Sequence, residues 1–212
     1  MNNEIYIIGA GTYGEVMCEL AETLGYTIKG FYDEDKNKEN ETFMGIKVKG
    51  EFSTLKKSEI TGRNFIVAIG NNLARLNIMT KINRNGGQTP TLIHPSATIS
   101  ESAQIGKGVY IQANSYIWTR VKIDDFCIIS PNTVIAHHTS IGKACLVSTL
   151  TGIGASIKIE DNVFIGMGST IVTGLQKIGE NSILGAGSVV LNDVEKDSVY
   201  AGVPAKKIRN SN

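Results

Sequence analysis

Few side chains in this 212-residue sequence can do chemistry near neutral pH. Histidine is the side chain whose ordinary titration falls there, and the chain carries three: His94, His137 and His138. A positioned imidazole can take the proton from a nucleophile as it attacks. The three cysteines, Cys18, Cys127 and Cys145, form no C-x-x-C pair. Their odd number and scattered positions argue against a disulfide framework and against structural zinc, so no metal site is expected. The other candidate is backbone rather than side chain. Gly9-Ala10-Gly11-Thr12-Tyr13-Gly14 is a G-x-G-x-x-G run, the spacing that lets main chain approach a pyrophosphate at the positive end of a helix.

Two kinds of element must hold these candidates. The glycine run follows an apolar strand, Glu4 to Ile8, and precedes a helical stretch, Glu15 to Leu24. That stretch has apolar positions at Val16, Met17, Leu20, Ala21 and Leu24, and Gly25 ends it. A second strand, Thr27 to Tyr32, closes on Asp33-Glu34-Asp35-Lys36, and an extended pair is predicted over 42–48. A further strand, Asn64 to Ile69, ends in Gly70-Asn71-Asn72 and leads into a helix over 73–83. Strands alternating with helices predict a parallel sheet covered by helices. An acidic residue, Asp33, about twenty positions past the last glycine completes a dinucleotide fingerprint. The segment is short for a full NAD domain and no second half follows. A nucleotide-linked sugar is therefore the preferred ligand over NAD.

From Ile93 the pattern changes to a strict period of six. Ile93, Ile99, Ile105, Ile111 and so on to Ile171 form an unbroken aliphatic series, interrupted only in type by Val147. One extra residue then shifts the phase, which resumes at Ile178, Leu184 and Val190. A helix needs hits at three and four, and an amphipathic strand at two. Small or β-branched residues stand two before the aliphatic one in most hexads, as at Ser115, Cys127, Thr133, Thr139, Cys145 and Thr151. Each hexad is one short strand plus a turn, and three hexads close a triangular coil with the aliphatic residues stacked inside. Cys127 and Cys145 then fill corners as buried thiols.

This repeat resembles that of the hexapeptide-repeat acyltransferases, whose fold is a left-handed parallel β-helix. Together with the first half it gives an α/β Rossmann-like domain over 1–90 followed by an all-β helix over 91–212. The combination resembles the bacterial acetyltransferases that modify nucleotide-activated amino sugars or sialic acid. The matching pieces are I-Y-I-I-G-A-G-T-Y-G, F-Y-D-E-D-K, V-A-I-G-N-N, L-I-H-P-S-A-T-I-S, V-I-A-H-H-T-S-I-G and A-G-V-P-A-K-K-I. By that resemblance Gly11, Thr12, Tyr13 and Gly14 hold the diphosphate. Asp33 and Glu34 reach the nucleoside, and Gly70, Asn71 and Asn72 line the same pocket. Arg75 adds charge to a phosphate or is a solvated helix residue.

The resemblance also implies acetyl-CoA as co-substrate and a homotrimer with sites between subunits. His137 takes the position of the family's general base. Its neighbour His138 supports it, where relatives usually carry Glu or Asp. His94 is a junction residue. For acetyl-CoA the resemblance points to Met167 and Gly185, to the backbone N–H of Ala155 as an oxyanion donor, and to Pro204, Lys206 and Lys207 near the nucleotide end. The segment Leu146 to Ala155 lacks the histidine that relatives carry near its start, which leaves the acyl group open between acetyl and something larger. The implied reaction is N-acetylation of a nucleotide-linked amino sugar, such as a 4-amino-4,6-dideoxyhexose, for surface polysaccharide, O-antigen or lipopolysaccharide assembly. The alternatives are O-acetylation of sialic acid, and a sugar-nucleotide-binding protein with a decayed site.

Composition sets the outer bounds. Lys plus Arg is 21 and Asp plus Glu is 20, a net charge of +1 with no basic cluster, so no nucleic-acid partner is expected. No apolar run is long enough to span a membrane. The polar start, Met1-Asn2-Asn3-Glu4, has no basic n-region, so no signal peptide is expected and the cytoplasm is the expected compartment.

Overall fold

The computed structural model describes residues 3–211. The chain divides into two compact units, one up to Leu92 and one from Ile93 onward. In the first, strands and helices alternate: β1 (Glu4–Ile8), α1 (Thr12–Thr23), β2 (Thr27–Tyr32), the hairpin β3 (Thr42–Phe43) and β4 (Ile46–Lys47), α2 (Lys57–Ile60), β5 (Asn64–Val67) and α3 (Asn72–Arg84). The main sheet is parallel, in the order β2-β1-β5. Ile5, Ile7, Ile8, Phe65, Ile66 and Val67 are all buried. Strands covered on both faces need such near-continuous apolar runs. Helix α1 packs its Met17, Cys18, Leu20 and Ala21 stripe inward. It begins at Thr12, earlier than the apolar period predicts, because Thr12 and Tyr13 form a polar first turn with no core signal.

The second unit is the left-handed parallel β-helix. Two-residue strands stack in parallel, each pairing with the strand one coil away, as in Tyr116↔Val134 and Ile117↔Ile135. They form three faces. Face 1 runs through Ile99, Ile117, Ile135, Ile153, Ile171 and Val190; face 2 through Ile105, Ile123, Ile141, Ile159 and Ile178; face 3 through Ile93, Ile111, Ile129, Val147, Ile165 and Leu184. From Ile111 onward these ladder residues are at most 2% exposed. Each burial stabilises by about 1.5–3 kcal/mol.

The corners explain the small residues. Thr133 and Thr151 donate to the carbonyls of Ser130 and Ser148, Thr139 to Gly154 O at 2.8 Å, and the Cys127 and Cys145 thiols to Gly142 O at 3.0 Å and Glu160 O at 3.1 Å. Buried polar atoms thus pair within a turn, as at Thr133 and Thr151, or with the next coil, as at Thr139, Cys127 and Cys145. From Gly108 onward most corners turn through a left-handed residue. Asn114, Asn132 and Asn162 suit that conformation, but Arg120, Phe126, His138, Ala144, Leu150 and Ser156 also adopt it. A non-glycine side chain there costs on the order of 1 kcal/mol, which coil stacking offsets. The extra residue after Ile171 forms a bulge around Gly174 (φ 112°), with Leu175 tucked inside. The ladder resumes with Ile159↔Ile178. At the end, Ser198–Ala201 joins face 3 and Lys206–Asn210 folds back antiparallel onto it. Among the described residues no helix is long and apolar enough to cross a membrane.

Candidate functional site

In the first unit the candidate residues gather in the loops that follow the carboxyl ends of the parallel strands. With the order β2-β1-β5 the chain reverses direction across β1, the place where open parallel sheets bind ligands. The glycines have separate tasks. Gly9 sits at φ 107°, and a Cβ there would lie 2.7 Å from Ala68 O. A Cβ on Gly14 would strike the Gly9 carbonyl oxygen. These two glycines let helix and loop pack closely. A Cβ on Gly11 would meet nothing within 4 Å, so Gly11 borders the open side, where a ligand would approach the first N–H groups of α1. Thr12 is exposed and Tyr13 half-buried on that same first turn.

Asp33 and Glu34 are held inside this loop system. Asp33 accepts hydrogen bonds from Ala10 N at 2.8 Å, Asp35 N at 3.0 Å and Lys38 Nζ at 3.0 Å. Lys38 also donates to Ala10 O at 3.0 Å. Burial pushes the Asp33 carboxyl up, but the bonds from Asp35 N–H, Lys38 and Ala10 N–H outweigh it and hold it below its ordinary value. Glu34 accepts from Ser53 N at 2.9 Å and Ser53 Oγ at 2.7 Å. Lys38 and Ser53 carried no motif in the sequence; only the fold brings them to the acidic pair.

After β5, Asn71 caps α3 by accepting from Ala74 N at 2.9 Å, and Gly70 is exposed beside it. Arg75 corrects both expectations for it. Its side chain is fully buried, not solvated, and its guanidinium donates to Ile69 O at 3.1 Å and Asn72 Oδ1 at 2.9 Å. It holds the turn rather than presenting charge to a phosphate.

In the β-helix, His137 and His138 form one corner between faces 1 and 2. Both are exposed, and His138 is the left-handed residue at φ 63°. Their Nδ1 atoms lie 3.0 Å apart, so one ring presents an N–H and the other a lone pair. The corner is locked from both sides: His138 N donates to Thr119 O at 3.1 Å, and Ser156 N to His137 O at 3.0 Å. The Trp118 ring lies 6.1 Å from that of His137, and Tyr116 lies 5.5 Å from Trp118. The sequence reading missed these aromatics, although Trp118 stands one coil before Ala136 in the six-residue register. His94 accepts from Ser96 N at 3.1 Å at the first turn of the helix, in keeping with a junction role.

The acetyl-donor candidates divide. Ala155 stacks directly after His137, but its N–H donates to Thr173 Oγ1 at 3.1 Å. The expectation of a free oxyanion donor is therefore corrected: the hydroxyl of Thr173, one coil later in the regular register, takes this N–H. Met167 is exposed and lies at the opposite edge of face 1, where Gly187 N donates to its carbonyl at 2.8 Å. Gly185 is half-buried, with a Cβ position 3.0 Å from Ala201 Cβ. Pro204 is exposed at the tip of the terminal hairpin. Lys207 pairs with Glu195 at 2.7 Å, and Lys206 beside it is exposed. Cys127 and Cys145 are fully buried, and burial raises the Cys145 thiol well above its ordinary range. Among the described residues no group of three or more His, Cys, Asp or Glu could hold a metal ion.

Comparison with known proteins bears on both units. A model of the PglD N-terminal domain matches residues 4–82, and one of the GMPPB C-terminal domain matches residues 87–171. The chain is 34% identical over 116 residues to the UDP-N-acetylbacillosamine N-acetyltransferase of Bacillus subtilis. That match covers 51% of this chain and 51% of the relative, so it spans about half the length of that curated protein. The crystal structure of PerB from Caulobacter crescentus, in complex with CoA and GDP-perosamine, superposes with a TM-score of 0.89 at 30% identity over 97% of each chain. The acetyltransferase domain of PglB from Neisseria gonorrhoeae in complex with acetyl coenzyme A does so with a TM-score of 0.68 at 27% identity, covering 98% of this chain and 100% of that one. With this likeness running through both units, the chain belongs to the bacterial nucleotide-sugar acetyltransferase family of the hexapeptide-repeat, left-handed β-helix superfamily.

Proposed function

We propose that this protein transfers an acetyl group from acetyl-CoA to the amine of a nucleotide-linked amino sugar, with His137 as general base. The observation that carries this reading is the likeness to PerB over 97% of both chains, a protein crystallised with CoA and GDP-perosamine. The glycine loop at the N-terminus of α1 is suited to the diphosphate, with Gly11 on the open side and Asp33 bracing Ala10. The sugar amine attacks the thioester carbonyl and the C–N bond forms. His137 Nε2 takes the amine proton, the C–S bond breaks, and the proton passes to the departing CoA thiolate. Holding both substrates in line supplies much of the rate.

A homotrimer with sites between subunits fits the geometry. His137 and Met167 lie at opposite edges of face 1 within one chain, so a site containing both needs a second chain. Tyr116 (44% exposed), Trp118 (38%) and Val134 (40%) put apolar surface on that face. A cytoplasmic place in surface-glycan assembly follows from the use of acetyl-CoA and an activated sugar. The test offers acetyl-CoA with UDP-, dTDP- and GDP-linked amino sugars and follows free thiol. Turnover with one of them is expected, and His137→Ala should lower it by roughly a hundredfold or more. No thiol release with any activated amino sugar overturns the assignment, and an undiminished His137→Ala rate overturns the base.

A further inference from the structure

We propose that His138 is the positioning residue of the catalytic base. Its Nδ1 lone pair accepts the Nδ1–H of His137 and so holds the His137 ring in the tautomer whose Nε2 lone pair is available to the substrate amine. The proposal rests on His137 being the base and adds what orients it. The carrying observation is the 3.0 Å Nδ1···Nδ1 contact between the two rings, set nearly perpendicular at 88°. Two imidazole nitrogens at that distance share one proton. If His138 donated instead, His137 would keep its proton on Nε2 and could not accept another there.

The backbone explains how adjacent residues can meet this way. His138 takes the left-handed conformation at φ 63°, and in that corner its ring stands 5.2 Å from that of His137. The corner is held by the Thr119 O and Ser156 N hydrogen bonds on either side, so the rings are presented on fixed main chain. When His137 gains the amine proton on Nε2, its Nδ1–H bond to His138 becomes charge-assisted and strengthens. The hydrogen bond therefore favours the transition state over the ground state. A second proton on His138 Nδ1 would set N–H against N–H and break the pair. The charged side chain on the adjoining corner is Arg120 of the preceding coil; the following corner offers Ala155 and Ser156, which are uncharged. A neutral imidazole thus stands where a carboxylate would otherwise orient the base.

The test compares His138→Ala with His138→Asn. Asparagine places an acceptor oxygen where Nδ1 stands and tolerates the left-handed region. Alanine removes the acceptor, and Ala144 already occupies such a corner at φ 54° in this β-helix, so the fold survives. Nitrogen NMR of the ring signals should show His137 protonated on Nδ1 in the wild type and in His138→Asn, and shifted toward Nε2 protonation in His138→Ala. The kcat of His138→Ala should fall roughly tenfold, the weight of one hydrogen bond, with KM for the sugar nucleotide unchanged and kcat restored in His138→Asn. An unchanged His137 tautomer in His138→Ala overturns the proposal, as does a His138→Asn variant no faster than His138→Ala. A shifted tautomer with an unchanged rate overturns the positioning role as well, whereas an undiminished His137→Ala rate overturns the base itself, so the two failures are separable.

Discussion

Replacing Asp33 by Asn probes the loop that the diphosphate reading depends on. Three donors converge on the carboxylate: Ala10 N–H and the Lys38 ammonium on Oδ2, and Asp35 N–H on Oδ1. An amide keeps one oxygen and sets its NH2 against at least one of these donors. Losing a hydrogen bond to a charged acceptor costs about 1.5–3 kcal/mol. The Lys38 side chain is 33% exposed, so its share is screened, and the net cost at pH 7 is about 2 kcal/mol. Acid should erase this gap. The folded carboxyl titrates below its ordinary value, so its contribution is complete above the unfolded value of roughly 3.9 and is lost as pH falls through the lower, folded one. The assay is denaturant unfolding of wild type and Asp33→Asn from pH 7 downward, followed by helix circular dichroism. Among the described residues the α-helices all lie in this unit. A gap that is absent at pH 7, or undiminished at about pH 2, refutes the linkage reasoning.

The glycines separate folding from binding: Gly14→Ala should destabilise by about 1 kcal/mol or more, because the methyl meets the Gly9 carbonyl oxygen, whereas Gly11→Ala should melt within about 0.5 kcal/mol of wild type yet weaken sugar-nucleotide binding. Calorimetric titration beside thermal melts would separate the two effects. Arg75→Lys should fail to rescue Arg75→Met, since a point ammonium cannot reproduce the fork that spans Ile69 O and Asn72 Oδ1; each should cost about 2 kcal/mol or more by chemical denaturation. Thiol titration of the native protein at pH 8 should proceed slowly until denaturant is added. All three cysteines are buried, and burial together with Glu22 and Glu19 raises Cys18 to about 11. Rapid labelling of one equivalent would contradict the packing of the coil corners or of α1.

The two readings of Arg75 fail for a reason that sequence cannot supply. Position on a helix does not say whether the turn before it curls back over the side chain, and here that turn takes the guanidinium as an internal clamp. Ala155 is similar. Its place one coil after His137 follows from the period, and so does that of Thr173 one coil further on, but whether the Thr173 hydroxyl turns onto the Ala155 N–H is decided by a side-chain torsion that spacing does not specify. Lys207 was paired with Glu195 only when the terminal hairpin folded back.

What the amino-acid sequence determined by itself was everything periodic or local. The six-residue spacing of isoleucines admits no helix and no simple sheet, because only a coil closing after three hexads buries every rung, and so the β-helix and its corner residues were legible in advance. The strand–glycine–helix order likewise placed the loop at the end of β1. The tertiary structure alone decided which polar groups meet: Asp33 with Ala10 and Lys38, Arg75 with its own turn, and the two imidazoles nitrogen to nitrogen. Those choices turn on distances of about 3 Å and on single backbone torsions, which hydrogen bonding requires and side-chain type and spacing do not specify.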